Sequence, residues 1–301
     1  MKKVLKWIGI ILVSLVGLLV VAAGVSYGIG SARLNKSYDI QVEAITIPTD
    51  ETAVARGRHL AQAVTLCIAC HGENLGGTVL EEEPGIVTVA ASNLTTGQGG
   101  VGNTYSDTDY VRAIRHGVNQ EGRGLLIMHS DIYHNLSKAD LGAIIAYVKS
   151  VSPVDSEVPK TRTELLGRIL VALGLFDMEA TPLIAAEVID HTALFAEAPA
   201  PGVTAGYGQY LTTLALCTMC HGPDLKGGPP IDPASPAGPN IADYGAPGGW
   251  SEEEFVSTIR TGITPSGKWL NPEFMPWEFY QNMTDEELVA IWRYVQSLTI
   301  E

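Results

Sequence analysis

Cys67-Ile68-Ala69-Cys70-His71 returns 150 residues later as Cys217-Thr218-Met219-Cys220-His221. Two thiols three positions apart, followed at once by an imidazole, form the attachment pattern of a c-type haem. The thiols stand where the two vinyl groups of one haem can alkylate them, and the imidazole falls under the iron as its proximal ligand. These are the chain's four cysteines, and both pairs carry the following histidine. A structural zinc site would want its two knuckles about 15–20 residues apart, and a disulfide would leave both histidines unexplained. The spacing therefore predicts two covalently bound haem c groups. Cys67, Cys70, Cys217 and Cys220 are the attachment points, and His71 and His221 are iron ligands.

The flanks repeat as well. Gly57-Arg58-His59-Leu60 resembles Gly208-Gln209-Tyr210-Leu211, one residue out of register with the cysteines. Beyond them, His71-Gly72, Leu75 and Gly77 match His221-Gly222, Leu225 and Gly227. Ser106 to Asp109 and Ser251 to Glu254 set a hydroxyl three residues before an acid, a helix-opening pattern. Ile114-Arg115 and Gly117 then match Ile259-Arg260 and Gly262. Ser137 to Asp140 and Thr284 to Glu287 open a last helix in each half. Its apolar positions (Leu141, Ile144, Ile145, Val148; Leu288, Ile291, Trp292, Val295) fall at i, i+3, i+4, i+7. The expected fold is all-α: a transmembrane helix, then two helical haem domains joined by a long strap.

The 301 residues carry a formal charge of −14, and removing Lys2, Lys3 and Lys6 leaves about −17 on the rest. Nucleic acid is thereby excluded as a partner class. The acidity serves either solubility or steering toward a basic docking patch on a redox partner. Trp7 through Tyr27 run without a charge, enough at about 1.5 Å per residue to cross a hydrocarbon core of about 30 Å. A cleaved secretory signal is the competing reading, because Ala22-Ala23-Gly24 offers small residues, but its apolar run would be about 7–15 residues. An uncleaved anchor is expected. The three lysines hold the N-terminus in the cytoplasm, against the weaker pull of Arg33 and Lys36. That places the haem domains on the outer face of a bacterial cytoplasmic membrane.

The expected organisation is an anchor over 1–30, an extended linker over 31–49, haem domain one over 50–152, a connection over 153–202 and haem domain two over 203–301. Within the connection, Thr161-Arg162-Thr163-Glu164 reads as a capping box for a short apolar helix from Leu165 to Phe176. That helix either packs between the domains or touches the membrane surface. Pro182 to Pro201 reads as an extended strap, and Glu81, Glu82 and Glu83 as a solvated turn.

The sixth iron position decides the function: one protein ligand leaves a site for small molecules, two leave mainly electron exchange. An offset of 147 pairs Tyr133 with Tyr280 and Met128 with Met275. Each methionine lies in a loop before the last helix, where its side chain can turn back to the iron, so Met128 and Met275 are the expected distal ligands. Met283 aligns with Leu136 and is expected in the core. Pro276 follows Met275, whereas His129 follows Met128 with His134 nearby, and either imidazole is an alternative ligand. His59, His116 and His191 are expected as surface or packing residues.

These residues make the chain resemble the class I cytochrome c superfamily, in particular the membrane-anchored cytochrome c subunits of periplasmic alcohol, aldehyde and gluconate dehydrogenases. The resemblance covers about residues 50–152 and 203–299. In the first half it rests on C-I-A-C-H-G, Ser92-Asn93-Leu94-Thr95, Y-S-D-T-D-Y-V-R-A-I-R-H-G and the Met128 to Tyr147 segment. In the second it rests on C-T-M-C-H-G-P-D-L-K-G-G and Phe274-Met275-Pro276. It implies an electron carrier rather than an enzyme. The carrier would take electrons from a dehydrogenase or quinol-oxidising complex and pass them to an oxidase or soluble carrier. A dihaem enzyme of peroxidase or thiosulfate dehydrogenase type is the alternative; a cysteine distal ligand, used by some of the latter, has no spare cysteine here.

Overall fold

The computed structural model describes residues 2–177, 181–231, 234–245 and 249–298, so the last residues expected in domain two, 299–301, lie outside them. The apolar run lies in one helix, α1 (Lys2–Leu34). At about 1.5 Å per residue it is about 50 Å long, well beyond a hydrocarbon core of about 30 Å. Its last turns are therefore free to dock. Gly30 is buried there, and a Cβ at that position would lie 1.8 Å from the Arg168 carbonyl oxygen. The Arg33 guanidinium forks onto Asp177 at 2.6 Å and Glu187 at 2.7 Å. An extended linker from residue 31 is thus corrected: the chain stays helical through Leu34 because that turn has partners.

The first haem-motif domain comprises α2 (Glu51–His59), α3 (Cys67–His71), α4 (Asp107–His116), α5 (Ser130–Tyr133) and α6 (Lys138–Ser150). After α7 (Leu165–Ala172) in the connection, the second repeats them as α8 (Ala205–Leu214), α9 (Cys217–His221), α10 (Glu252–Thr261), α11 (Trp277–Tyr280) and α12 (Asp285–Ser297). Capping boxes open α4, α10 and α12 at Ser106, Ser251 and Thr284, and the Ser137 hydroxyl accepts the Asp140 amide at the start of α6. Orphan amides at these helix ends are thereby satisfied. Where α2 crosses α6, a Cβ on Gly57 would sit 1.8 Å from the Ala143 carbonyl oxygen. Where α8 crosses α12, one on Gly208 would sit 1.9 Å from that of Ala290. The repeated glycine is what lets first and last helices touch backbone to backbone.

The one-residue mismatch between the repeats has a structural cause. Residues Leu60–Val64 form a π-helical turn, closed by the Thr65 amide on the Leu60 carbonyl. The equivalent bond in the second half, Ala215 to Leu211, spans only four residues. A π turn absorbs an inserted residue without ending the helix, and the cysteines regain their position.

Three expectations are corrected in the loops and the connection. Glu81, Glu82 and Glu83 lie on β1 (Thr78–Glu83), which pairs antiparallel with β2 (Val87–Ala91); β2 pairs with β3 (Arg162–Thr163). This small sheet is the exception to the all-α reading. The turn sits at Glu83 to Ile86 instead, where the Ile86 amide donates to the Glu83 carbonyl. Arg162 and Thr163 are strand residues, so they form no capping box, and the residue before α7 is Glu164, without a side-chain cap. Nor does α7 pack between the haem domains: it lies on α1 and on the hairpin turn, where Gly167 fits against the Ile86 carbonyl.

The two domains meet across a pseudo-two-fold axis. His59 Nε2 lies 2.7 Å from Glu287 Oε2, and the equivalent pair, Tyr210 Oη and Asp140 Oδ2, lies 2.8 Å apart. Arg56 and Tyr207, themselves equivalent, meet each other at 3.1 Å. Such a contact is isologous, the same patch used from both sides. Beneath it, one buried apolar cluster runs from Leu60 and Ile144 in the first domain to Leu211 and Trp292 in the second.

Candidate haem-binding sites

Each motif begins at a leucine with left-handed backbone, Leu66 (φ 51°) and Leu216 (φ 59°), which breaks the preceding helix and starts a new five-residue one. On that short helix the two cysteines, three apart, share a face. All four thiols are free of disulfides. Burial pushes them up, Cys217 to about 12.

The histidines carry the clearest sign of fit. His71 Nδ1 lies 2.8 Å from the Ser92 carbonyl oxygen, and His221 Nδ1 lies 2.9 Å from that of Pro239. A carbonyl can only accept, so each Nδ1 carries the proton and each Nε2 keeps a lone pair for a metal. Orienting a ligand histidine in this way is a standard outer-shell device. Burial holds both imidazoles below their usual range, which favours the neutral ligand form. The carbonyls themselves were missed in the sequence. Their trace is Ser92-Asn93-Leu94 against Pro239-Asn240-Ile241, at the same 147 offset as the methionines. Asn93, fully buried, further ties this loop to the connection through Val154 O at 2.7 Å.

Met128 and Met275 are both half-buried against the apolar cluster that Cys67 and Cys217 also join. Their loops have the same shape. The Ser130 amide donates to the Met128 carbonyl at 2.7 Å, as the Trp277 amide does to that of Met275. The residue between has φ −74°, ψ 47° at His129 and φ −78°, ψ 53° at Pro276, an inverse γ-turn in both halves. His129 therefore takes the backbone of the proline that the first half lacks. Tyr133 Oη then donates to the Thr65 carbonyl at 2.5 Å and Tyr280 Oη to that of Ala215 at 2.6 Å. These bonds tie each methionine loop to the stretch leading into its Cys-x-x-Cys-His.

Among the described residues, only the first loop is strapped from outside. Ile127, a β-branched residue at φ 61°, donates its amide to the Leu183 carbonyl at 3.0 Å. Such a conformation costs on the order of 1–3 kcal/mol and persists where neighbours impose it. His134 Nδ1 lies 3.2 Å from the Arg115 carbonyl, which leaves its Nε2 a lone pair as at His71 and His221, and its ring meets His116 edge-on at 6.0 Å. His116 in turn contacts His191, Nδ1 to Nδ1, at 3.1 Å. His59 is neither plain surface nor plain packing but a member of the interdomain network.

The sequence matches the cytochrome c family over residues 54–152 and 205–299. It is 29% identical over 277 residues to the fructose dehydrogenase cytochrome subunit of Gluconobacter japonicus, covering 84% of this chain and 55% of that subunit. It is 29% identical over 288 residues to the cytochrome c subunit of the alcohol dehydrogenase (quinone) of Gluconacetobacter polyoxogenes, covering 85% and 58%. The gluconate 2-dehydrogenase cytochrome c subunit of Pantoea cypripedii is 27% identical over 283 residues, covering 83% and 60%. The chain thus spans little more than half the length of these relatives.

Proposed function

The chain belongs to the cytochrome c family, whose members bind haem c covalently, and from that premise we propose that it is a two-haem, membrane-anchored electron-transfer subunit working with a dehydrogenase. In this reading Cys67 and Cys70 hold one haem, Cys217 and Cys220 the other. His71 with Met128, and His221 with Met275, would hold the two irons. Haem iron so ligated supplies a reversible one-electron couple, raised in potential by the thioether.

The observation that carries the reading is the twofold occurrence of one arrangement: a proximal imidazole locked by a backbone carbonyl, and a methionine held on an inverse γ-turn. The protein's own residues do the rest. Ser92 and Pro239 fix the imidazole tautomers, and Tyr133 and Tyr280 hold the methionine loops. The isologous contact through Arg56, His59, Tyr207 and Glu287 fixes one domain against the other. Two strong ligands per iron leave no position for a substrate, which supports a carrier over a dihaem enzyme.

The relatives named above, cytochrome subunits of fructose, alcohol and gluconate dehydrogenases, support a dehydrogenase as electron donor. The acceptor belongs to a membrane respiratory chain on the outer face of the cytoplasmic membrane, and acidic steering toward a basic docking patch follows from the charge of −14. The test is a pair of single variants. Met275→Ala and Met128→Ala should each open one iron to carbon monoxide and lower the potential of that haem, leaving the other unchanged. If Met128→Ala kept a low-spin spectrum and its potential, His129 or His134 would be the ligand. If the unaltered protein bound carbon monoxide readily and turned over peroxide, the enzyme reading would replace this one.

A further inference from the structure

The helix in the connection has an apolar face that none of the described residues covers. On α7 and the turn after it, Leu165, Leu166, Leu173 and Leu175 are 67%, 45%, 59% and 66% exposed. At 100° per residue, Leu165, Leu166, Ile169 and Leu173 fall within about one quadrant of the helix. Gly167 and Val171, on the opposite side, are the buried positions. Four large leucines turned outward on so short a segment would be a liability in water.

The docking of α7 on α1 says what covers them. The contact is at Gly30 and Arg168, backbone against side-chain-free backbone, and the Arg168 guanidinium lies 5.9 Å from the Tyr27 ring. If the uncharged run Trp7 to Tyr27 fills a hydrocarbon core of about 30 Å, Gly30 stands about 5 Å above its outer surface. That is the headgroup layer, the depth at which an amphipathic helix lies flat and buries its apolar face about 5–10 Å deep. Tyr27 at this level, with an aromatic body and polar tip, fits the same boundary.

We propose that α7 is a second membrane contact, lying in the outer headgroup layer beside the anchor with Leu165, Leu166, Leu173 and Leu175 in lipid. This rests on the reading of α1 as an uncleaved anchor. A single helix lets the haem domains swivel and tilt; a second footing, bridged to it by Gly30 and the Arg33 pairs with Asp177 and Glu187, fixes their height and orientation over the bilayer. The occupant is the lipid itself, because α7 continues the surface of a helix already in the membrane.

The full chain, reconstituted in phosphatidylcholine vesicles containing a phosphatidylcholine with a photoreactive acyl chain, tests this. After irradiation and digestion, lipid adducts are mapped by mass spectrometry. Adducts are expected on α1 and on peptides covering Leu165 to Leu175. Leu173→Lys with Leu175→Lys, both at exposed positions, should cut the second set several-fold while α1 stays labelled and the haem spectrum is unchanged. Adducts on α1 alone would overturn the proposal. Absence of adducts on α1 would overturn the anchor reading instead, and the two failures are distinct.

Discussion

Glu287→Gln tests the pseudo-two-fold contact most directly. Glu287 is 4% exposed and opens α12, where its Oε2 accepts the Thr284 amide at 3.0 Å. The same carboxylate meets His59 at 2.7 Å and Arg56 at 3.3 Å, both from the other domain. Glutamine keeps the shape and an acceptor for the cap but removes the charge. Hydrogen bonds to charged groups contribute about 1.5–3 kcal/mol, and breaking a buried pair costs at the upper end of that or beyond. Arg56 is partly exposed and keeps Asp140 at 3.1 Å, so the expected loss is about 2 kcal/mol, near 30-fold in the unfolding equilibrium. Urea titration followed at the haem absorbance measures it, with the exposed neighbour Glu286→Gln as control. A double-mutant cycle with His59→Gln should return a coupling of about 1 kcal/mol. If Glu287→Gln cost no more than Glu286→Gln, or if the cycle were additive, the contact would be a geometric coincidence. Acid supplies a second check. Burial would raise the Glu287 carboxyl, but the His59 and Thr284 bonds, with Arg56 nearby, hold it below its ordinary 4.5. Its contribution is therefore present above pH 4.5 and lost as the pH falls through the lowered folded value. The glutamine variant should lack that part of the acid sensitivity.

The helix crossings offer a sharp contrast within one helix. Gly208→Ala, with its methyl 1.9 Å from the Ala290 carbonyl, should cost about 3 kcal/mol or more, as overpacking against backbone does. Gly206→Ala on the same helix, with nothing within 4 Å, should instead stabilise by about 0.5–1 kcal/mol; urea midpoints of the two variants compare them. Burial, then His191, Arg115, His134 and Arg112, push His116 down to about 4. The unfolded chain thus takes up its proton first, and stability should fall by up to about 3 kcal/mol as the pH drops from 6.5 to 4. In His116→Gln the melting temperature should be flatter across that window, and an unchanged slope would remove His116 as its cause.

What the sequence by itself determined is everything that repeats locally. The Cys-x-x-Cys-His pairs, the helix openings at Ser106, Ser251 and Thr284, the glycines at 57 and 208, and the methionines at a common offset are short-range signals. Each reports a constraint on the residue that carries it. The apolar run of α1 is legible for the same reason: a span is set by composition over about 20 residues. Tertiary structure decided what depends on a partner far along the chain. The sequence could not show that His129 copies the backbone of Pro276, because that torsion is imposed by the Ser130 to Met128 bond and by the Leu183 strap holding Ile127. The extra residue before the first motif could have gone to a loop, and only the packing of Leu60 and Val64 in the core keeps it helical as a π turn. Thr161 to Glu164 has the letters of a cap, yet Arg162 and Thr163 pair as a strand, since β2 offers its edge there. And His59, Glu287, Tyr210 and Asp140 are ordinary polar letters until two folded domains bring them together, when each of them meets a partner more than 65 residues away.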